Sequence, residues 1–257
     1  MSVALDALVA RMDSYLRIRE LPDESNAVNG LQVENRGVVS RVVAAVDACQ
    51  ATIDHVAATA ERDGPALLLV HHGLFWDGNV PITGRRGRRV RALFEADTAL
   101  YGAHIPLDLH PEVGNNAVLA AKLGIEVEGT FGGYRGVQIG TWGRLSAERD
   151  ALRVRLEQVL DTAQVKLIAG GPQQTSRVGI ITGGASSAIA DARDLGLDTF
   201  ITGEGPHHTY FDAMEWGINV YYAGHYATET VGVQALAQML SSEFELPWSF
   251  HHHPTGL

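Results

Sequence analysis

ALLLVHHGLFW, residues 66–76, runs through five apolar positions and then meets two adjacent histidines and a glycine. An unbroken apolar run of this length fits a strand buried on both faces, as in a parallel sheet covered by helices. Working outward, RVVAAVD (41–47) and TALYGAH (98–104) read as two more such strands, with helical segments near 52–60 and 90–96 between them. A helix over 116–123 stops at Gly124, a C-terminal glycine signal. GTFGGYRGVQIGTWG (129–143) is glycine-rich and reads as turns flanking an antiparallel strand, the best place for a boundary. Beyond it the pattern recurs: RVGIIT (177–182), DTFIT (198–202) and INVYY (218–222) each lead into a small-residue turn and a helix, the last helix opening at 225. VVAAVD lines up with VGIITG, LLLVHHG with TFITGEG, and YGAHIPLD with YYAGHYATE, as an internal duplication would require. The fold class expected is therefore α/β: two similar interleaved lobes, with mixed sheets covered by helices. The metal-binding lobe is expected over residues 1–128 and 225–257, and the second, similar lobe over 129–224.

Composition narrows the function classes. The chain has 257 residues, 46% hydrophobic and 19% charged, with a formal charge of −10. That acidity argues against broad nucleic-acid or anionic-membrane binding. No apolar run approaches the roughly 20 residues of a membrane helix. The single cysteine, Cys49, excludes an intrachain disulfide and a cysteine-based zinc finger, and is expected to be a small buried apolar residue. Asp6 and Asp13 interrupt the N-terminal apolar residues at helical spacing, unlike a signal peptide, so a cytoplasmic address is expected.

Eleven histidines stand out, several beside carboxylates at strand ends, which is where α/β sheets collect their ligands. His71 and His72 follow the first quoted strand, and Gly73 lets both imidazoles turn toward one site. In HIPLDLHP (104–111), Pro106 and Pro111 suggest a rigid extended loop with Asp108 and His110 on one side. Asp108 also suits a cap for a following helix, and His104 and His110 suit supporting or surface roles as well as direct ligation. In GHYATE (224–229), His225 and Glu229 stand one helical turn apart and can grip one centre, or form a plain surface pair. A carboxylate can bridge two cations, which makes Glu229 the preferred bridging ligand.

His71, His72, Asp108, His225 and Glu229 together supply three nitrogens and two carboxylates. One ion is satisfied by three or four such ligands, so five point to two divalent ions: zinc, iron, manganese, cobalt or nickel. Glu204, His207 and His208 fall where the second half has its counterpart of His71 and His72, and suit cavity-facing roles. Arg85, Arg86, Arg88, Arg89 and Arg91 form a basic patch that reads as a solvated helix start, a subunit contact or a phosphate clamp. No Walker loop or GxGxxG fingerprint occurs. FHHHP (250–254) reads as a native tail.

HHGLFW (71–76), HIPLDLHPEVGNNAVLAAKLG (104–124), TGEGPHH (202–208), GHYATET (224–230) and NGLQV (29–33) closely resemble the motifs of the Nif-three-like dinuclear metal centre family, many of whose members carry the label GTP cyclohydrolase 1 type 2 homologue. The resemblance spans nearly the whole chain and implies the same five metal ligands. It further implies a toroidal homohexamer, a trimer of dimers with the metal sites facing an internal cavity. An amphipathic helix over 4–16 and Phe75 and Trp76 as exposed aromatics fit that expectation. The domain that longer relatives insert in the middle is missing here. As an enzyme, such a protein would be a metal-dependent hydrolase acting on a nucleotide such as GTP or a phosphorylated small molecule. His104 or His208 would then move protons, and the arginine patch would hold phosphate. As a binding protein it would be a non-catalytic hexamer for metal storage, delivery or regulation.

Overall fold

The structure, a computed structural model, describes residues 2–256. It divides into two compact units, Met1–Leu107 with Val233–His253, and Asp108–Gly232 with Pro254–Leu257.

In the first unit, Arg41–Asp47, Ala66–His72 and Thr98–Gly102 are adjacent parallel strands, as their continuous apolar runs predict. Trp248–Phe250 extends the sheet in parallel beside Arg41–Asp47, and Gly30–Val33 closes the other edge antiparallel to Thr98–Gly102. Alternate side chains leave by opposite faces. Val43, Ala45, Leu68, Val70 and Leu100 pack with Ile53, Val56 and Leu93 of the helices Gln50–Ala57 and Gly84–Glu95. On the other face the buried Tyr101 donates from its hydroxyl to Asp13 of the helix Leu5–Tyr15 at 2.8 Å. Truncating a fully buried leucine such as Leu68 to alanine costs about 2–5 kcal/mol here, because no part of it is left in solvent.

The helix Gly84–Glu95 begins earlier than the sequence pattern suggests. Its Arg86 is buried, donates to the carbonyls of Val80 and Gly78, pairs with Asp77 and lies over the Phe75 ring at 5.3 Å. That one guanidinium ties down the loop that follows His72. Phe75 and Trp76 are correspondingly half-buried within the unit, a correction to their reading as exposed aromatics. Cys49 is likewise half-buried at the start of Gln50–Ala57, its Sγ 3.2 Å from the Thr52 hydroxyl, where a fully buried thiol was expected.

In the second unit Gln174–Ile180, Thr199–Thr202 and Asn219–Tyr222 are again consecutive parallel strands, so both units repeat one βαβαβ pattern. Lys166–Ala169 pairs antiparallel at one side, and Val137–Glu148 followed by Glu126–Tyr134 at the other. The last two form a hairpin turning at Arg135 and Gly136, both with positive φ (47° and 91°), which matches strand twist. Most glycines around this turn are strand residues rather than linker: a Cβ on Gly143 would meet the Glu126 carbonyl oxygen at 2.1 Å. Glycine content there reflects close strand packing, and the units part at 107/108 and 232/233 instead of 128/129 and 224/225. Helix Asn115–Leu123 belongs with this hairpin, its Leu119 and Leu123 packing on Leu145 and Leu156, and it ends at Gly124 in the left-handed region as expected.

Candidate metal centre

Three histidines meet at one end of the first unit's sheet. His71 and His72 are the last residues of their strand, and His104 follows the neighbouring one. One ring nitrogen from each lies within 4.8 Å of the other two, and the His71 ring centroid is 4.7 Å from that of His72 and 5.0 Å from that of His104. Each ring is fixed from behind. His71 Nδ1 donates to the Ala103 carbonyl at 2.8 Å, His72 Nδ1 to Asp47 at 2.9 Å, and His104 Nδ1 to Asp23 at 2.8 Å. Asp47 reaches His72 because the two residues are partners in the parallel register. Burial opposes charge on Asp23, yet the hydrogen bond and charge of His104, with Asn29 donating, hold its carboxylate below the ordinary pKa. Trp76 closes the cluster with edge contacts to His104 and His72 at 4.8 and 5.6 Å.

The second unit presents carboxylates at the corresponding strand ends. His225 opens a single helical turn, His225–Thr228, and the chain breaks at Glu229 before Thr230–Phe244 begins, so the continuous helix expected from 225 is interrupted at its candidate ligand. The i, i+4 pair is nevertheless formed, with Nε2 of His225 at 3.1 Å from Oε1 of the buried Glu229. Glu204 accepts from His225 Nδ1 at 2.7 Å. The hydrogen bond to Glu229 and the charge beside it outweigh burial, and with Glu204 they push the imidazole pKa up to about 9. Gly183 lies against this pair: a Cβ there would meet Glu229 Oε1 at 2.3 Å, and its φ of +70° disfavours any side chain. The preceding Thr182 donates to Asp108 at 3.3 Å, and Asn115 donates to the same oxygen at 2.8 Å. Residues 105–108 are one helical turn rather than an extended loop, with Pro106 in the first turn, where a missing N–H costs nothing.

This donor set fits divalent metal. His71, His72 and His104 engage Nδ1 with an oxygen acceptor, which fixes the proton there and leaves Nε2 for a cation, the arrangement metal-ligating histidines adopt, while His225 engages Nδ1 with Glu204 and sets Nε2 against Glu229.

The Duf34/NIF3 (NGG1p interacting factor 3) family model matches residues 3–255. The chain belongs to the Duf34/NIF3 family. A Deinococcus radiodurans protein called GTP cyclohydrolase 1 type 2 homolog is similar throughout, 43% identical over 258 residues that span 99% of this chain and 95% of the relative. A Pyrococcus abyssi protein of the same description is 39% identical over 254 residues, 98% and 99% of the two chains. The solved structure of ybgI, described as a protein of unknown function, superposes with a TM-score of 0.89 at 36% identity, covering 99% of this chain and 100% of that one. A Thermus thermophilus protein gives 0.85 at 40% identity with the same coverage.

Within the NIF3-family motifs, the structure groups His71 and His72 with His104, and His225 with Glu229 and Glu204. His207 is exposed with its ring edge on Phe211 at 5.6 Å. His208 is exposed at the start of Thr209–Trp216, away from any side-chain hydrogen bond among the described residues. Sequence reasoning missed Asp23 and Asp47. Asp47 ends an apolar strand as His72 does and carried that signal; Asp23 sits in a polar loop far from His104 in sequence and carried none.

Proposed function

We propose that this NIF3-family protein is a metal-dependent hydrolase in which His71, His72, Asp108, His225 and Glu229 hold two divalent ions (zinc, iron, manganese, cobalt or nickel), and that it acts on a nucleotide or a phosphorylated small molecule. The observation that carries this reading is the shared anchoring of the histidine Nδ1 atoms, together with two carboxylates, Asp108 and Glu229, kept out of solvent. Five ligands exceed what one ion takes. When bound, such ions supply Lewis acidity and lower the pKa of coordinated water to about 7. His104, held at Nδ1 by Asp23, carries or accepts a proton at Nε2, and the exposed His208 is the second candidate for that task. Arg88 and Arg91, exposed and without an acidic partner among the described residues, offer charge for a phosphate. The names of the relatives put GTP first among substrates to try.

The test is turnover by metal-loaded protein against GTP and a phosphoester panel. Turnover lost in Glu229→Gln supports the hydrolase; a fully loaded protein that turns nothing over leaves the non-catalytic metal-binding, delivery or regulatory role as the better account. We also propose a homohexamer, a trimer of dimers, supported by Tyr210, Phe211 and Met214, exposed together on one helix. Sedimentation as a monomer near 27.7 kDa refutes it. A cytoplasmic address rests on the cysteine usage; no described helix is long and apolar enough to cross a membrane.

A further inference from the structure

The edge strand Gly30–Val33 meets Thr98–Gly102 with Leu31 opposite Tyr101 and Val33 opposite Leu100, so Gln32 is the extra residue of a β-bulge. A bulge re-aims the side chain it carries. Here the Gln32 amide lies against two glycines, one beside each histidine segment of the first unit. A Cβ on Gly73, next to His72, would meet the amide at 2.1–2.5 Å, and one on Gly102, two residues before His104, would meet its Nε2 at 2.7 Å. Its Oε1 accepts from the Leu74 N–H at 2.8 Å, and its Nε2 donates to the carbonyls of Ala27 and Val28 at 3.0 and 2.9 Å. One amide thus ties the loop after His72 to the turn at 27–28.

That turn is strained. Val28 has a φ of +45° with its side chain 42% exposed, and a β-branched residue adopts the left-handed region only where its surroundings impose it. The carbonyl bonds from Gln32 supply that restraint. Directly after the turn, Asn29 accepts from the His104 N–H at 2.8 Å and donates to Asp23 at 2.7 Å. Asp23 in turn accepts from His104 Nδ1 at 2.8 Å and from the Ile105 N–H at 3.0 Å. The bonds that aim the His104 imidazole therefore come from segment 23–29, which the strained turn closes.

We propose that Gln32 is a positioning residue for the centre described above: by holding Val28 in its left-handed turn and Leu74 in its loop, it sets how His104 stands to His71 and His72. The inference rests on the proposed function only in taking those imidazoles as part of a metal centre. Gln32 neither ligates nor transfers a proton in this role; it acts through His104 and the loop after His72.

The test follows the full-length chain in two ways: water exchange of the His104 Nδ1 proton by nuclear magnetic resonance after metal removal, and zinc affinity by competition titration. Gln32→Met keeps the side-chain length and removes the bonds to Leu74, Ala27 and Val28. Exchange is expected to accelerate as His104 loses Asp23, and zinc binding to weaken about tenfold, the low end of what a ligand's supporting partners cost. Val28→Gly is the discriminating second change, because glycine holds a left-handed turn without restraint. Added to Gln32→Met, it is expected to restore slow exchange and most of the zinc affinity, which it would not do for a loss of packing alone. If Gln32→Met does not fold, Gln32→Glu takes its place, keeping the acceptor for Leu74 and losing the donor to both carbonyls. Exchange indifferent to the substitution, or losses that Val28→Gly leaves in place, overturn the inference. Faster exchange with unchanged zinc affinity overturns it too, since the turn would then aim His104 without bearing on the centre. Turnover enters neither measurement, so a protein that hydrolyses nothing leaves the positioning role standing, and a failed positioning role leaves the hydrolase standing.

Discussion

The two sheet ends differ more in chemistry than in topology. Each unit lines up three consecutive parallel strands. In the first, the strand ends place imidazoles forward and use carboxylates behind them: Asp47 holds His72 and Asp23 holds His104. In the second, Glu229 meets the single imidazole of His225, which Glu204 holds at Nδ1, and Asp108 is held by Thr182 and Asn115. One scaffold thus presents two different donor sets through a change of a few strand-end residues, HHG at 71–73 against GEG at 203–205.

If both ends are needed for metal, the largest effect comes from removing a ligand at either. His72→Ala and Glu229→Ala should each strip most bound metal, read by elemental analysis after dialysis; full retention in one of them would make that end dispensable. The glycines beside the ligands separate the two ends next. Gly183→Ala forces a Cβ onto Glu229 in a left-handed conformation, so metal affinity should drop at least about tenfold, with stability lowered by about 1–3 kcal/mol. At Gly73 the backbone is not left-handed and the added Cβ meets the Gln32 side-chain amide rather than a candidate ligand, so a smaller loss is expected in the same titration.

Supporting carboxylates should follow their exposure. Asp23→Asn, at a side chain only 6% exposed, should weaken metal binding by about 10–100-fold, whereas Glu204→Gln, at 50%, should cost less. Equal effects would show that burial does not grade these partners. The smallest expected contrast lies in the arginine patch. Arg86→Met should destabilise the first unit by about 1–3 kcal/mol, since Asp77 and two carbonyls lose their donor, while Arg88→Ala should stay within about 0.5 kcal/mol in chemical denaturation.

The parallel strands were legible because burial on both faces writes itself as continuous apolar sequence, as in 66–70. The candidate ligands were legible because strand ends and an i, i+4 spacing announce them. The boundary was not, since a glycine that admits a neighbouring backbone, like Gly143, looks in sequence like one that turns a loop. The helical turn at 105–108 was hidden by Pro106, a helix breaker everywhere but in a first turn. Asp23 was invisible because only tertiary folding brings it to His104.

The most direct test of the central claim is the metal content of the saturated full-length protein, measured by native mass spectrometry alongside His72→Ala and Glu229→Ala. Two divalent ions per chain, with loss of metal in both variants, is the predicted result. One ion per chain at saturation, with both variants loading as the unmodified protein does, would contradict the dinuclear account.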